Sequence, residues 1–326
     1  MGYIVVTGGA GFIGSNLLRY LNNKGYTDII VVDTLEKENS FLNLNNTLFV
    51  DFINYKKGID FIYKAVKHYN IEVIFHLGAN TDVLVKDGNL MLETNFEHSK
   101  FWVNFAIEKG ADFIYSSSSA VYGNSKGFIP HPNYEMPLNE YAFSKLIFDN
   151  YVRKIINSDM GKNKKTRIIG YRLFNVFGIN EFHKDKNASI PYRFFTFIKD
   201  KGIIELFNED IKRDYVWVND VCEVLYITWI EKNIPSNIYN LGSGEPISHV
   251  EVAKIVIETM KEQGYLDPTL DYNYYIKLIE MPLELRNRFQ FFTKAENVPI
   301  WITHITSNVR EKMKKYIEEL CKRFLK

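Results

Sequence analysis

Tyr3-Ile4-Val5-Val6-Thr7-Gly8-Gly9-Ala10-Gly11-Phe12-Ile13-Gly14 opens the chain with a β-rich run and a glycine-rich turn, and Ser15 to Leu21 continues with helical spacing. Glycines at 8, 11 and 14 give G-x-x-G-x-x-G between a strand and a helix. In that setting the turn is a phosphate site. The glycines let the backbone approach a pyrophosphate, and the helix N-terminus offers free N–H groups and the positive end of its dipole. A second strand, Asp28 to Val32, ends in Asp33, whose carboxylate is placed to hydrogen-bond an adenosine ribose. Asp33 disfavours a 2′-phosphate, while Lys37 nearby counters that repulsion.

Strand and helix then alternate. Leu48 to Phe52 reads as a third strand with Asp51 meeting the adenine edge, Ile59 to Lys67 as a helix, and Val73 to Ala79 as a strand entering a Gly-Ala turn. A helix from about Val85 to Glu108 carries Asn95, and Asp112 to Tyr115 is the fifth strand. Thr166 to Leu173 is the sixth. This order predicts an α/β fold, a Rossmann-type doubly wound parallel sheet with ligands at the C-terminal strand ends. His76 reads as a packed structural histidine.

Composition bounds the function. The chain has 326 residues, 46% hydrophobic and 24% charged, with a formal net charge of +1, so no charge imbalance argues for nucleic acid or membrane as partner. Cys222 and Cys321 stand far apart with no ligand cluster, which predicts neither disulfide nor metal site and suits a reducing cytoplasm. No apolar run of about 18 residues appears, and the N-terminus leads straight into a strand, so neither a membrane span nor a signal peptide is expected. Lys162 to Arg167 reads as a solvated basic loop.

The reactive pair is Tyr141-Ala142-Phe143-Ser144-Lys145, within a helix from Leu138 to Arg153. The i, i+4 spacing puts both side chains on one face. An ammonium beside a phenol favours the phenolate, so Lys145 is expected to lower the Tyr141 pKa and make it a proton-transfer group. By itself Y-x-x-x-K is common on helices. Here the loop Ser116-Ser117-Ser118-Ser119-Ala120-Val121-Tyr122-Gly123 falls at a strand end some twenty residues earlier, where a hydroxyl can reach the same substrate atom.

The glycine turn, the S-S-x-x-V-Y-G loop, Y-x-x-x-K, Arg213-Asp214-Tyr215-Val216 and Tyr239-Asn240-Leu241-Gly242-Ser243-Gly244 together resemble the extended short-chain dehydrogenase/reductase family, over nearly the whole chain. A narrower likeness lies in Tyr171 to Gly178, Glu181-Phe182-His183-Lys184, Ala188-Ser189 and Arg288 to Ala295. These resemble the branch that inverts C6 of ADP-D-glycero-D-manno-heptose for lipopolysaccharide core synthesis. The resemblance implies tightly bound NADP, with NAD as the alternative. Its holders would be Gly8, Gly11, Phe12, Ile13, Gly14, Asp33, Thr34, Lys37, Asp51, Phe52, Leu77, Gly78, Ala79, Asn95, Tyr141, Lys145, Val176 and Lys184. It implies a nucleotide-sugar of the ADP-heptose type at Ser118, Asn175, Lys186, Phe207, Arg213 and Phe289, with Arg213 pairing the diphosphate. Tyr141 and Lys184 would exchange protons, Lys184 with its pKa lowered by Lys186 as neighbour, and Ser118 would hydrogen-bond the reacting oxygen. A homo-oligomer follows from the same likeness, a pentamer being one arrangement.

Three positions depart from the branch: Phe289 replaces a Tyr, Lys186 a small hydroxyl residue, and Ser40 a Lys. The dinucleotide domain is expected over 1–177, with 213–240 returning to it, and the substrate lobe over 178–212 and 241–326. Other readings are a nucleotide-sugar 4-epimerase, a dehydratase, or a non-catalytic NAD(P)-binding scaffold. A 4-epimerase has no use for Lys184. A 4,6-dehydratase carries an acidic pair where Ser119 and Ala120 stand, and a scaffold needs neither Tyr141 nor Lys145.

Overall fold

The computed structural model describes residues 2–83, 85–158, 165–286 and 289–325. Arg288 of the narrower likeness, and Lys162, Asn163 and Lys164 of the basic run, lie outside them. The glycine turn joins β1 (Tyr3–Thr7) to α1 (Phe12–Asn23), and β2 (Ile29–Asp33) follows. Then come β3 (Asp51–Asn54), α2 (Ile59–Val66) and β4 (Ile71–His76). A helix begins at α3 (Gly88–Met91), widens to a π-turn at Leu92–Glu97 and continues as α4 (His98–Lys109). β5 (Asp112–Ser118), α5 (Glu140–Asn157) and β6 (Ile168–Leu173) complete this half.

The strand order is β10-β6-β5-β4-β1-β2-β3, where β10 (Asn237–Leu241) returns late in the chain to pair with β6. Every pairing in this sheet is parallel. Both faces of its strands are apolar, as a doubly covered sheet requires. One face packs on α1 and on α7 (Val218–Ile230), the other around Trp102, Phe105, Phe113 and Phe148.

The rest of the chain builds smaller sheets. β9 (Lys212–Trp217) lies between β7 (Asn175–Phe177) and β11 (Pro246–Ser248), and β8 (Ile204–Phe207) pairs with β12 (Ile276–Ile279). α6 (Ile190–Lys201), α8 (His249–Glu262) and the helices Ile300–Thr306 and Val309–Phe324 surround them. A second core joins Phe177, Phe195, Tyr215, Val256 and Tyr316. No helix among the described residues is long and apolar enough to cross a membrane.

The third strand is where the register corrects the sequence reading. Its expected start at Leu48 is wrong: Leu48 and Val50 are exposed, and pairing begins at Asp51, level with Ile30. Asp51 therefore opens the strand, three residues short of the end where Asp33 stands, and it accepts from the Tyr69 hydroxyl at 3.5 Å. Phe52 pairs level with Val31 and packs on the core. The residue level with Asp33 is Asn54, so the C-terminal end of this strand carries an amide where a carboxylate was expected. The helices Ile300–Thr306 and Val309–Phe324 are separated at Ser307 and Asn308, where Asn308 takes a left-handed backbone.

Candidate active site

The glycine turn is held by close backbone approach. Gly8 has φ +71° and packs on Gly78 at the end of β4: a Cβ on Gly8 would lie 2.7 Å from the Gly78 backbone. A Cβ on Gly14 would lie 2.1 Å from the Gly8 carbonyl oxygen. Thr7 adds a side-chain tie, its Oγ1 accepting from Gly78 N at 3.0 Å and hydrogen-bonding His76 Nδ1 at 2.8 Å. His76 Nε2 meets Ser99 Oγ at 2.8 Å, and Ser99 donates to the Asn95 carbonyl. This order fixes the neutral imidazole with its proton on Nε2, and burial holds its pKa well below the ordinary value. His76 is thus structural, a strut beneath the turn.

No side chain caps α1, and no acidic residue stands in its first turn. The N–H groups at Phe12, Ile13 and Gly14 therefore face outward at the positive end of a twelve-residue helix. Asp33 Oδ2 accepts from Ala10 N at 2.8 Å and Oδ1 from Thr34 N at 2.7 Å. Its carboxylate sits beside the turn, with burial raising its pKa and these N–H groups and Lys37 pulling it down. These residues fit a dinucleotide: an uncapped helix start for the diphosphate and a carboxylate at the end of the neighbouring strand.

Asn95, in the π-turn, is buried with both ends engaged. Its Oδ1 accepts from Asn80 N at 2.8 Å, and its Nδ2 donates to Asn80 O and to Ser144 Oγ, each at 3.0 Å. It ties the segment after β4 to the reactive helix.

α5 begins at the N-cap Asn139, whose side chain accepts from Ala142 N at 2.8 Å. That cap sets Tyr141 in the first turn and Lys145 one turn later. Ser118, the last residue of β5, hydrogen-bonds the Tyr141 hydroxyl, so the loop serine and the phenol do meet. The expected effect of Lys145 on Tyr141 is corrected. Burial raises the Tyr141 pKa, with only the Ser118 hydrogen bond opposing it, because Lys145 is turned away. Its Nζ donates to the Ser116 carbonyl at 2.9 Å. Burial lowers the Lys145 pKa to about 8, and the Asp149 carboxylate, one further turn along, works against that fall.

Asp149 was missed in the sequence, although Tyr141, Lys145 and Asp149 continue one i, i+4 row. It is wholly buried and accepts from Tyr115 OH and Ser117 Oγ, each at 2.9 Å, and from Arg172 Nε and Nη2 at 2.9 and 2.8 Å. Arg172 also donates to Glu135 Oε1 at 2.5 Å, and Arg153 pairs with the same carboxylate. Each charge in this network has an opposite neighbour, which is the condition for burying it.

Lys184 lies in a tight turn, Phe182–Asn187, rather than a solvated loop. Its anchor is Glu181, also missed as a functional position. The buried Glu181 carboxylate accepts from Gly178 N at 3.2 Å, Ser189 Oγ at 2.7 Å, Ser189 N at 2.5 Å and Tyr316 OH at 2.8 Å. Lys184 Nζ stands 5.3 Å from the centre of the Phe12 ring at the glycine turn. Burial lowers its pKa; Glu181 opposes the shift and Lys37 adds to it. The cationic neighbour is thus Lys37, and the expected Lys186 is exposed to solvent. His183 Nδ1 meets Asn43 Nδ2 at 3.0 Å, and Asn43 donates to Ala10 O at 3.0 Å, which joins the turn at 182–187 to the cofactor side.

In the three-stranded sheet, Arg213 of β9 is buried, its guanidinium 4.9 Å from the centre of the Phe289 ring and Nη1 3.3 Å from Gln290 Oε1. Burial lowers its pKa to about 10. Asp214 braces the loops, accepting from the N–H groups of Ser243, Gly244 and Ala295. Asn175 Nδ2 donates to Asp214 O at 2.8 Å. Val176 is partly buried against the first core, and Phe207 ends β8.

A sequence model of the NAD dependent epimerase/dehydratase family matches residues 4–242. The chain belongs to this family. Among solved structures it is similar to the ADP-L-glycero-D-manno-heptose-6-epimerase of Helicobacter pylori, at 26% identity over 98% of this chain and 96% of that one, with a TM-score of 0.80. It shares its fold with the UDP-N-acetylglucosamine 4-epimerase of Methanobrevibacter ruminantium in complex with UDP-N-acetylmuramic acid, at 19% identity, 99% of each chain and a TM-score of 0.81. The UDP-glucose 4-epimerase of Thermus thermophilus in complex with NAD has the same fold, at 22% identity, 97% of this chain, 98% of that one and a TM-score of 0.75. The family is one of nucleotide-sugar epimerases and dehydratases that use a nicotinamide cofactor.

Proposed function

We propose that this protein is an NADP-dependent 6-epimerase of ADP-D-glycero-D-manno-heptose, serving lipopolysaccharide core synthesis as a homo-oligomer. C6 of such a sugar bears no acidic hydrogen, so inversion proceeds through a 6-ketone that is reduced on its other face. The bound nicotinamide supplies the redox chemistry, taking up a hydride and returning it. The chain's own residues handle the proton. With the C6 oxygen in one orientation, Lys184, whose pKa burial lowers, takes the hydroxyl proton. With the oxygen turned to the opposite side, Ser118 hydrogen-bonds it and Tyr141, whose pKa burial raises, gives it a proton; proton exchange from Lys184 to Tyr141 through water then resets the pair. No net oxidation or proton release results.

The observation supporting C6 rather than C4 is Lys184: a desolvated lysine, held by the Glu181 anchor against Phe12 at the cofactor turn. A site using Tyr141 and Ser118 alone has no need of it. The 26% identity to the Helicobacter pylori enzyme points the same way. Lys37 supports NADP because it opposes the charge of Asp33 at the ribose edge. Purified holoenzyme with no cofactor added is expected to equilibrate the C6 epimers of ADP-glycero-manno-heptose. Inaction on that sugar, with C4 inversion of a UDP-hexose, rejects the C6 assignment.

A further inference from the structure

Two buried or half-buried arginines outside the seven-stranded sheet, Arg193 of α6 and Arg213 of β9, form no ion pair among the described residues. Burial lowers the pKa of both, and no carboxylate acts on either. Next to them stands His249, the first residue of α8, 6% exposed. Its backbone is fixed, N donating to Ile211 O at 3.0 Å, and its ring meets Phe194 edge-on at 6.2 Å between centres. Its Nε2 is buried and has no hydrogen-bond partner among the described residues. The Tyr215 hydroxyl, beside Arg213, is in the same state.

Leaving such groups buried and unpaired is unfavourable, and two guanidinium groups without a carboxylate add to that. The cluster is therefore complete only with an anion that accepts several hydrogen bonds. We propose that His249 is a direct ligand of the substrate's diphosphate, completing with Arg193 and Arg213 the anion site of the lobe. This rests on the nucleotide-sugar reading and deepens it.

The charged groups facing His249 are Arg193 from α6 and Arg213 from β9, and both depress its pKa after burial, to about 3. Arg310, on the C-terminal helix packed against α8, is taken up by Glu251 and Glu245. The imidazole is thus neutral at pH 7 and contributes an Nε2–H donor, the tautomer a phosphate oxygen selects. Arg193 and Arg213 carry the charge; His249 sets where the phosphate oxygen sits.

The test uses holoenzyme saturated with NADP, titrated with ADP and UDP, and with adenosine and uridine as phosphate-free controls. His249→Phe keeps the bulk and removes the donor, while His249→Gln keeps a donor at a similar reach. Loss of one hydrogen bond to a charged group weakens binding roughly tenfold to a hundredfold. His249→Phe is expected to show that loss for the diphosphates and none for the nucleosides, with His249→Gln recovering most of it. Diphosphate affinity equal to wild type in His249→Phe overturns the proposal and leaves the nucleotide-sugar reading standing. So does an equal loss for diphosphates and nucleosides, which marks a packing role. A wild-type protein that binds neither diphosphate better than its nucleoside overturns both.

Discussion

Lys145 and Asp149 stand one helical turn apart, and the buried carboxylate of Asp149 opposes the fall in pKa that burial imposes on the Lys145 ammonium. Asp149 is itself compensated by Arg172, 2.8 Å away. The reactive helix therefore has a charge relay at its back, running from Glu135 and Arg172 through Asp149 to Lys145.

From this the alkaline limit of activity follows. Burial lowers the Lys145 pKa to about 8, so the ammonium is present below that pH and lost as pH rises through it. Turnover is expected to fall above about pH 8. Asp149→Asn removes the group that raises this pKa, so the limb moves to lower pH. The same change, by breaking a buried pair, costs about 3 kcal/mol of stability in urea. An alkaline limb unmoved in Asp149→Asn contradicts the coupling.

Lys184→Ala is expected to lower epimerisation by about a hundredfold or more, the usual worth of a proton-transfer group. Bound cofactor, read by its absorbance after release, should be unchanged. Near-normal turnover rejects a proton-transfer role for Lys184.

Glu181 acts at a distance on the same residue. Glu181→Ala strands the donors of Ser189, Tyr316 and Gly178 in the interior, for a loss of about 3 kcal/mol in denaturant unfolding. Because the turn carrying Lys184 loses its anchor, kcat should fall more than cofactor content does. Wild-type stability in this variant would show that the carboxylate is not holding the turn.

Gly14→Ala drives a methyl to within 2.1 Å of the Gly8 carbonyl. Backbone must shift, the uncapped N–H groups of α1 lose their aim, and the purified protein is expected to lack retained cofactor. Mass analysis of the released fraction reads this directly, and in the wild type it identifies the dinucleotide. A fully loaded Gly14→Ala protein contradicts the role of the turn.

The sheet order and the glycine turn were legible because strand, turn and helix there obey local rules: apolar strands buried on both faces and glycines where backbones touch. Tyr141 and Ser118 were legible for the same reason, since cap, spacing and strand end fix them locally. The Tyr141 pKa was not. Spacing says that Lys145 shares its face, but not that the ammonium reaches the Ser116 carbonyl instead, nor how deeply the phenol is buried. The third strand was misplaced because Leu48 and Val50 look like strand residues, and only pairing with β2 shows that they lie outside it. Glu181, Asp149 and His249 carry no local signal of burial. Their partners, Tyr316, Arg172 and Arg213, are all distant in sequence, and Asp149 alone had an i, i+4 clue in its spacing from Lys145.

The central claim is inversion of C6 through a ketone, with the same hydride returned. ADP-D-glycero-D-manno-heptose carrying deuterium at C6, incubated with the holoenzyme in ordinary water without added cofactor, tests it in one NMR experiment. The account predicts a C6-inverted product that retains deuterium at C6. Deuterium lost to solvent, or a C6 left uninverted, would contradict it.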